Sequence, residues 1–211
     1  MTWDPSGGMG FILAVMFRRS FGTHGGDMAQ TVFSDAELGF EYVDTSNLEL
    51  AQDVLNHNTF YHNSIVQTQP AGLAMRCLHA EAPRVSGSRV FKKFFLIRQG
   101  GQPVAIMDIF VGFPNYRSAS IAMFMVHDGF KRKGIAKQVL THALPLFLRE
   151  HHPAVETVVI SLTDNNIPAL RCLLECQYER TNACSKLDAN GRPVVAVTFK
   201  RRLADERMHQ V

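Results

Sequence analysis

Residues 118–162 constrain the fold more than any other stretch of this chain. SASIAMFMV, at 118–126, reads as an apolar strand. A short basic turn follows. Then Ile135, Val139, Leu140, Ala143, Leu144, Phe147 and Leu148 recur at helical spacing. Residues 157–162 are dense in Val and Ile, as buried parallel strands are. Strand, helix, strand predicts one right-handed crossover between parallel neighbours. Pro145 lies inside the helical stripe. It removes a donor and crowds the preceding turn, so a kink is expected there.

Around this unit the signals are antiparallel. Residues 90–98 and 104–112 read as strands flanking Gly100-Gly101, a pair with the backbone freedom of a tight hairpin. Pro114-Asn115 is a turn into 118–126, so 90–126 should form a meander. Residues 178–186 and 194–200 read as a final hairpin around Asn190-Gly191. Upstream, 40–43 reads as a short strand. Asn47 is expected to cap a helix carrying Leu48, Ala51, Val54 and Leu55 on one face. Residues 56–64 read as a loop and 72–80 as a second helix. A further helix at 168–175 has Asn165 or Asn166 as its cap. The fold class is α/β (α+β): a mixed, mostly antiparallel central sheet with one parallel strand-helix-strand crossover and helices on both faces.

A chain of 211 residues suits one domain plus a tail. Hydrophobic residues make up 46% and charged residues 19%, the balance of an ordinary globular protein. No stretch approaches the ~20 apolar residues needed to span a membrane, so no membrane partner is expected. The net charge of +3 is mild and predicts no nucleic-acid partner. Two basic clusters stand out, Lys131-Arg132-Lys133 and Lys200-Arg201-Arg202. Each is either a solvated patch or a face for a polyanionic ligand. The four cysteines, Cys77, Cys172, Cys176 and Cys184, fit no paired zinc spacing and no disulfide framework. Reduced thiols in a cytoplasm are expected, with no metal site. Residues 1–30 are expected to be a disordered tail or a non-native start, with Met28 as the natural first residue. An apolar run at 11–17 precedes Arg18-Arg19, the reverse of signal-peptide order. The domain is placed at 31–211.

The segment carrying chemistry is Val126-His127-Asp128-Gly129-Phe130-Lys131-Arg132-Lys133-Gly134-Ile135-Ala136-Lys137, between strand and helix. A helix N-terminus offers unpaired backbone donors and partial positive charge. Gly134 permits close backbone approach, and Lys and Arg add full charges. Together they suit a pyrophosphate. Neither the nucleotide P-loop spacing nor G-x-G-x-x-G is present. A basic loop that merely caps a helix is the plainer alternative.

These residues resemble the GNAT acetyltransferases, whose central motif runs Q/R-x-x-G-x-G/A at a strand-to-helix turn. Here it reads Lys131-Arg132-Lys133-Gly134-Ile135-Ala136. A second family motif, N-x-x-A opening the next helix, reads Asn166-Ile167-Pro168-Ala169. Asp108, Gly112-Phe113-Pro114 and the apolar strand after them resemble one subgroup. The resemblance covers 90–200 well and 38–89 loosely. It implies that the turn's amides, with Lys137, hold the pyrophosphate of acetyl-CoA. It implies that the strand before the turn splays from its parallel neighbour and that the pantetheine arm fills the gap. Phe124, Met125 and Val126 would offer main-chain groups there, and Asn166, Ala169 and Leu173 would flank the cofactor. Where the family often has a Tyr to protonate the leaving thiolate, this chain has Leu173.

Acetyl transfer needs a neutral amine, a donor aimed at the thioester oxygen, and alignment of the two. Asp108, an acid in the otherwise apolar run 104–110, is the candidate base; a carboxylate hydrogen-bonded to its neighbours is the alternative. His127 is read as structural, Cys172 as a small core residue, and His151-His152 as the basic end of a helix. The expected activity is acetylation of a primary amine of a small molecule by direct attack. Acetylation of a protein lysine or N-terminus, or plain CoA binding, are the alternatives. A homodimer is admitted.

Overall fold

The computed structural model describes residues 31–34, 37–66, 71–187 and 193–203. The tail at 1–30, Met28 and the Asn190-Gly191 turn lie outside the described residues. Eight strands form one sheet in the order β1-β2-β3-β4-β5-β6-β8-β7. They are β1 (Thr31–Ser34), β2 (Leu38–Tyr42), β3 (Phe91–Gln99), β4 (Gln102–Val111), β5 (Ser118–Val126), β6 (Thr157–Thr163), β7 (Glu179–Leu187) and β8 (Pro193–Arg202). Every neighbouring pair is antiparallel except β5 and β6. The mixed sheet with one parallel crossover is therefore as expected. The strand β1 was not foreseen; it is four residues long and too short for an alternation to show.

Two apolar clusters sit on the two faces of the sheet. One packs Phe95, Ala105, Met107 and Ile109 against Ile135, Val139, Ala143 and Phe147 of the crossover helix. The other packs Phe94, Leu96, Ile106 and Met125 against α1 (Leu48–Asn56) and α2 (Leu73–His79). Side chains alternate across a strand, so β4 and β5 serve both clusters. Asn47 precedes α1 but does not cap it through its side chain. Its amide instead accepts from Asp44 N and donates to Tyr42 O, closing the turn out of β2. The stretch expected as a loop after α1 contains a π-helical turn, Tyr61–Val66.

The crossover helix runs as α3 (Ile135–Gln138), a π-helical turn (Val139–Ala143) and α4 (Leu144–His151). Pro145 explains the wide turn. Leu144 N donates to Val139 O, five residues back, so the Leu140 carbonyl would await the N–H of residue 145. Proline has none. Arg201 of β8 supplies the missing donor: its Nη1 lies 2.7 Å from Leu140 O. The basic cluster 200–202 is thus only partly a solvated patch; Arg201 completes a helix. After β6 comes α5 (Ile167–Glu175). Asn166 is its cap, with Oδ1 accepting from Ala169 N at 3.4 Å. Among the described residues no helix is long and apolar enough to cross a membrane.

Candidate active site

The site begins where β5 and β6 part. Their parallel register covers Ser118↔Thr157 to Ile121↔Ile160 and stops. Beyond it β6 stays paired with β8 and β5 stays paired with β4. At that point β5 carries an extra residue: Asp108 faces Met123 while Ile109 faces Ile121, leaving Ala122 as a bulge. A bulge bends its strand and increases local twist, which accounts for the divergence. Past the bulge, His127 N donates to Val104 O at 2.9 Å. Antiparallel ladders alternate by two residues, so Met125 and Met123 also address β4. Phe124 and Val126 therefore turn their N–H and C=O toward the gap. Met125 differs from the expectation: its main chain serves the ladder, and its buried side chain packs under α1 and α2.

The turn at 127–134 closes one end of the gap. Asp128–Phe130 is a 3-10 turn, Arg132 has φ 61°, and Gly134 has φ 83° as it enters α3. A Cβ on Gly134 would meet nothing within 4 Å, so glycine is required there by its left-handed backbone and not by crowding. The N–H groups of Ile135, Ala136 and Lys137 form the first helical turn and have no partner within the helix. Arg132, Lys133 and Lys137 are exposed around them. Lys131 departs from the expected phosphate role. Its Nζ is 2.5 Å from Asp128 Oδ1 and 3.2 Å from Asn58 Oδ1, so its charge is spent inside the turn. The Asp128 carboxyl sits below the usual carboxylate range. Desolvation, the largest single influence, works the other way and is outweighed by the hydrogen bonds from Lys131 and Thr59 and the Lys131 charge taken together.

Asp108 is buried on the α1/α2 face of β4, the face it shares with Ile106. Lys92 Nζ of β3 lies 2.5 Å from each of its oxygens. The same ammonium sits over the rings of Phe94 and Phe110, at 5.6 and 5.4 Å. Burial raises the Asp108 pKa to about 6, and Lys92 opposes part of that rise. The acid is thus held by a partner, as the plainer alternative had it. It is also close to its ionisation point near neutral pH.

Of the remaining candidates, Leu173 is buried in the crossover-helix cluster with Cys176 and Tyr178. Cys172 and Cys176 share a helix face, and burial pushes the Cys172 thiol up to about 12, as for an unreactive thiol. The Tyr178 hydroxyl is buried without a hydrogen-bond partner, and burial raises its pKa. His151 Nδ1 donates to Phe147 O, 3.1 Å away, at the end of α4. His127 stacks on His57 at 4.6 Å between centroids. Asp53, His57 and His127 bring one carboxylate and two imidazoles together as possible metal ligands. The Nδ1 atom of each ring already has a partner within the protein, and His57 Nδ1 also lies 3.2 Å from Asp53 Oδ1. His57 Nδ1 faces Asp53 O at 2.9 Å, and His127 Nδ1 accepts from Gly129 N at 3.0 Å. Sequence reasoning missed Lys92 and Asn58. Lys92 lies one residue before Phe94's neighbour Lys93 in a basic pair that looks solvated, and Asn58 lies in a stretch without periodicity.

An eight-stranded mixed sheet, parted at its single parallel pair beside a glycine turn into a helix, defines the acyltransferase class to which this chain belongs. The profile of the acetyltransferase (GNAT) family matches residues 60–178, more than half of the chain, which is a member of that family. Similar solved structures include a spermidine N-acetyltransferase from Vibrio cholerae in complex with CoA and spermine. It has 14% identity and a TM-score of 0.59 over 80% of this chain and 97% of that one. Another is an acetyltransferase from Salmonella typhimurium that modifies the N-terminal serine of a 50S ribosomal subunit protein. It has 16% identity and a TM-score of 0.61 over 81% and 97%. A third is a ribosomal-protein-alanine N-acetyltransferase from Escherichia coli, with 16% identity and a TM-score of 0.54 over 80% and 97%. At these identities the likeness is one of fold. No curated protein sequence matches the chain.

Proposed function

We propose that the protein transfers the acetyl group of acetyl-CoA to a primary amine of a small molecule by direct attack. The observation that carries this reading is the gap between β5 and β6, with the Gly134 turn at its end. In this reading the N–H groups of Ile135, Ala136 and Lys137 take the pyrophosphate, with Arg132, Lys133 and Lys137 adding charge. The pantetheine arm lies along the free edge of Phe124 and Val126. An N–H from that edge polarises the thioester carbonyl. Asn166 and Ala169 shape α5 on the far side of the gap, and Leu173 packs beneath it.

The amine must shed a proton to attack. Asp108 lies on the face that packs against α1 and α2, the side from which an acceptor would approach by family resemblance. Its pKa of about 6 leaves it mostly ionised at neutral pH. It can take the proton directly or through water. Leu173 carries no proton for the leaving thiolate, and the buried, partnerless Tyr178 hydroxyl is poorly placed to exchange one. A CoA thiol with the ~8.5 pKa of an ordinary thiol can be protonated by solvent. The segment after α1 is bonded to β5 and to the turn that follows it.

The test is calorimetry with coenzyme A on the wild type and on Gly134→Val, followed by a mass-detected screen of primary amines with acetyl-CoA. The substitution forces a branched side chain into a left-handed backbone at the anion turn, so affinity should fall at least about tenfold. Equal affinity in the two proteins would refute the phosphate assignment.

A further inference from the structure

We infer that Asn58 is a positioning residue that ties the acceptor-side segment to both halves of the cofactor site; this rests on the function proposed above. Asn58 follows the end of α1 and is buried, with 7% exposure. Its side-chain amide reaches three places. Nδ2 donates to Val126 O at 3.2 Å, on the free edge of β5. Oδ1 accepts from Lys131 Nζ at 3.2 Å, in the anion turn. Oδ1 also accepts from Tyr61 N at 3.3 Å, fixing the start of the π-helical turn. The amide cannot be flipped, because its NH2 would then face an ammonium and an N–H while its oxygen faced a carbonyl.

The neighbours of Asn58 make the same connection. Asp128 N donates to His57 O at 2.8 Å. Thr59 N and Oγ1 donate to Asp128 Oδ2 at 3.1 and 2.9 Å. What sets Asn58 apart from His57 and Thr59 is its hydrogen bond to the strand edge at Val126 O. By holding the Val126 carbonyl it leaves Val126 N–H and the Phe124 pair as the edge's groups for a ligand. It also fixes the orientation of the last peptide before the turn. By holding Lys131 it keeps that ammonium out of the phosphate cradle. A shift of the edge by even a fraction of an ångström would misalign the thioester with an incoming amine, and alignment is a large part of such catalysis. Asn58 thus acts through Val126 and Lys131, on turnover more than on cofactor affinity.

The experiment uses the full chain, coenzyme A as the probe, and two variants. Asn58→Asp keeps the shape and the two acceptor contacts but removes the donor to Val126 O. Asn58→Ala removes all three contacts. In the wild type, coenzyme A should slow amide exchange both at 131–137 and at 57–62. In either variant the slowing at 131–137 should persist, and the slowing at 57–62 should shrink about fivefold or more. With any primary amine that the wild type acetylates, kcat should fall about tenfold or more while the Kd for coenzyme A shifts less than about threefold. The inference is overturned if Asn58→Asp, the isosteric variant, keeps wild-type kcat. It is equally overturned if that variant keeps full protection at 57–62. Should the wild type bind no coenzyme A at all, the proposed function itself fails, which the first calorimetric titration reveals.

Discussion

Replacing Arg201 with Met tests whether Pro145 and Arg201 form one unit. Met keeps much of the apolar stem but removes the guanidinium that donates to Leu140 O. Leu140 is 2% exposed, so water cannot readily take over the carbonyl. Leaving a buried acceptor unsatisfied costs about 1–3 kcal/mol. For a domain of this size that corresponds to a fall in Tm of roughly 2–12 °C. The diagnostic step is the second substitution. In Pro145→Ala the backbone regains an N–H, which can serve Leu140 O in the wide turn or let the helix relax to ordinary α spacing. The carbonyl then no longer depends on Arg201. The cost of Arg201→Met should therefore shrink by about 1 kcal/mol or more in the Pro145→Ala background. Urea melts of the four proteins give the cycle. If Arg201→Met costs the same with and without Pro145, the reasoning is wrong.

Two further outcomes follow from buried polar groups. The Asp108 pKa is raised from 3.8 to about 6, so the folded state binds more protons than the unfolded chain between those values. Its contribution to stability is thus present below pH 3.8 and lost as pH rises through about 6. Relative to Asp108→Asn, the wild type should lose stability between about pH 4 and 7, read as the difference in Tm across that range; a relative gain would contradict the burial argument. In Tyr178→Phe a buried hydroxyl without a partner is removed, so stability should be unchanged or rise by up to about 1 kcal/mol. A loss above that size, or a large loss of turnover with coenzyme A affinity intact, would show that the hydroxyl has a partner or a catalytic role.

The meander at 90–126 and the crossover were legible because their signals are local. Residues 90–98, 104–112, 118–126 and 157–162 show short apolar runs bounded by Gly, Pro and Asn, and each became β3, β4, β5 or β6 within two residues. The glycine turn was legible for the same reason. What the sequence hid depends on pairs distant along the chain. Asn58 meets Val126 and Lys131 across 68 and 73 residues, and no periodicity announces such a contact. Lys131 looks like a phosphate ligand in the motif because one of the two groups that hold its ammonium, Asn58, lies 73 residues away, although the other, Asp128, is three residues upstream. Arg201 looks like one of three solvated cations because the carbonyl it satisfies is exposed by a proline far upstream. Pro145 itself signalled trouble in the helix, and the wide turn found there leans on a donor from another strand. The opening of the sheet beside β5 was expected from the family resemblance alone; the bulge that accompanies it leaves no mark in an apolar run.

That bulge acts as a spacer with a counting role. Ala122 can be removed and both flanking registers remain valid: Ile109 still faces Ile121, and Asp108 still faces Met123. The side chains of Phe124 and Val126 would keep their side of the sheet, and so would Met123 and Met125. A shortened β5 would simply run straight. The main-chain groups now facing open space would come within reach of β6, whose continuation from Ser161 is ready to accept them. One small residue therefore separates a cleft from a continuous sheet, and a chain lacking it would keep its strands and lose the opening between them.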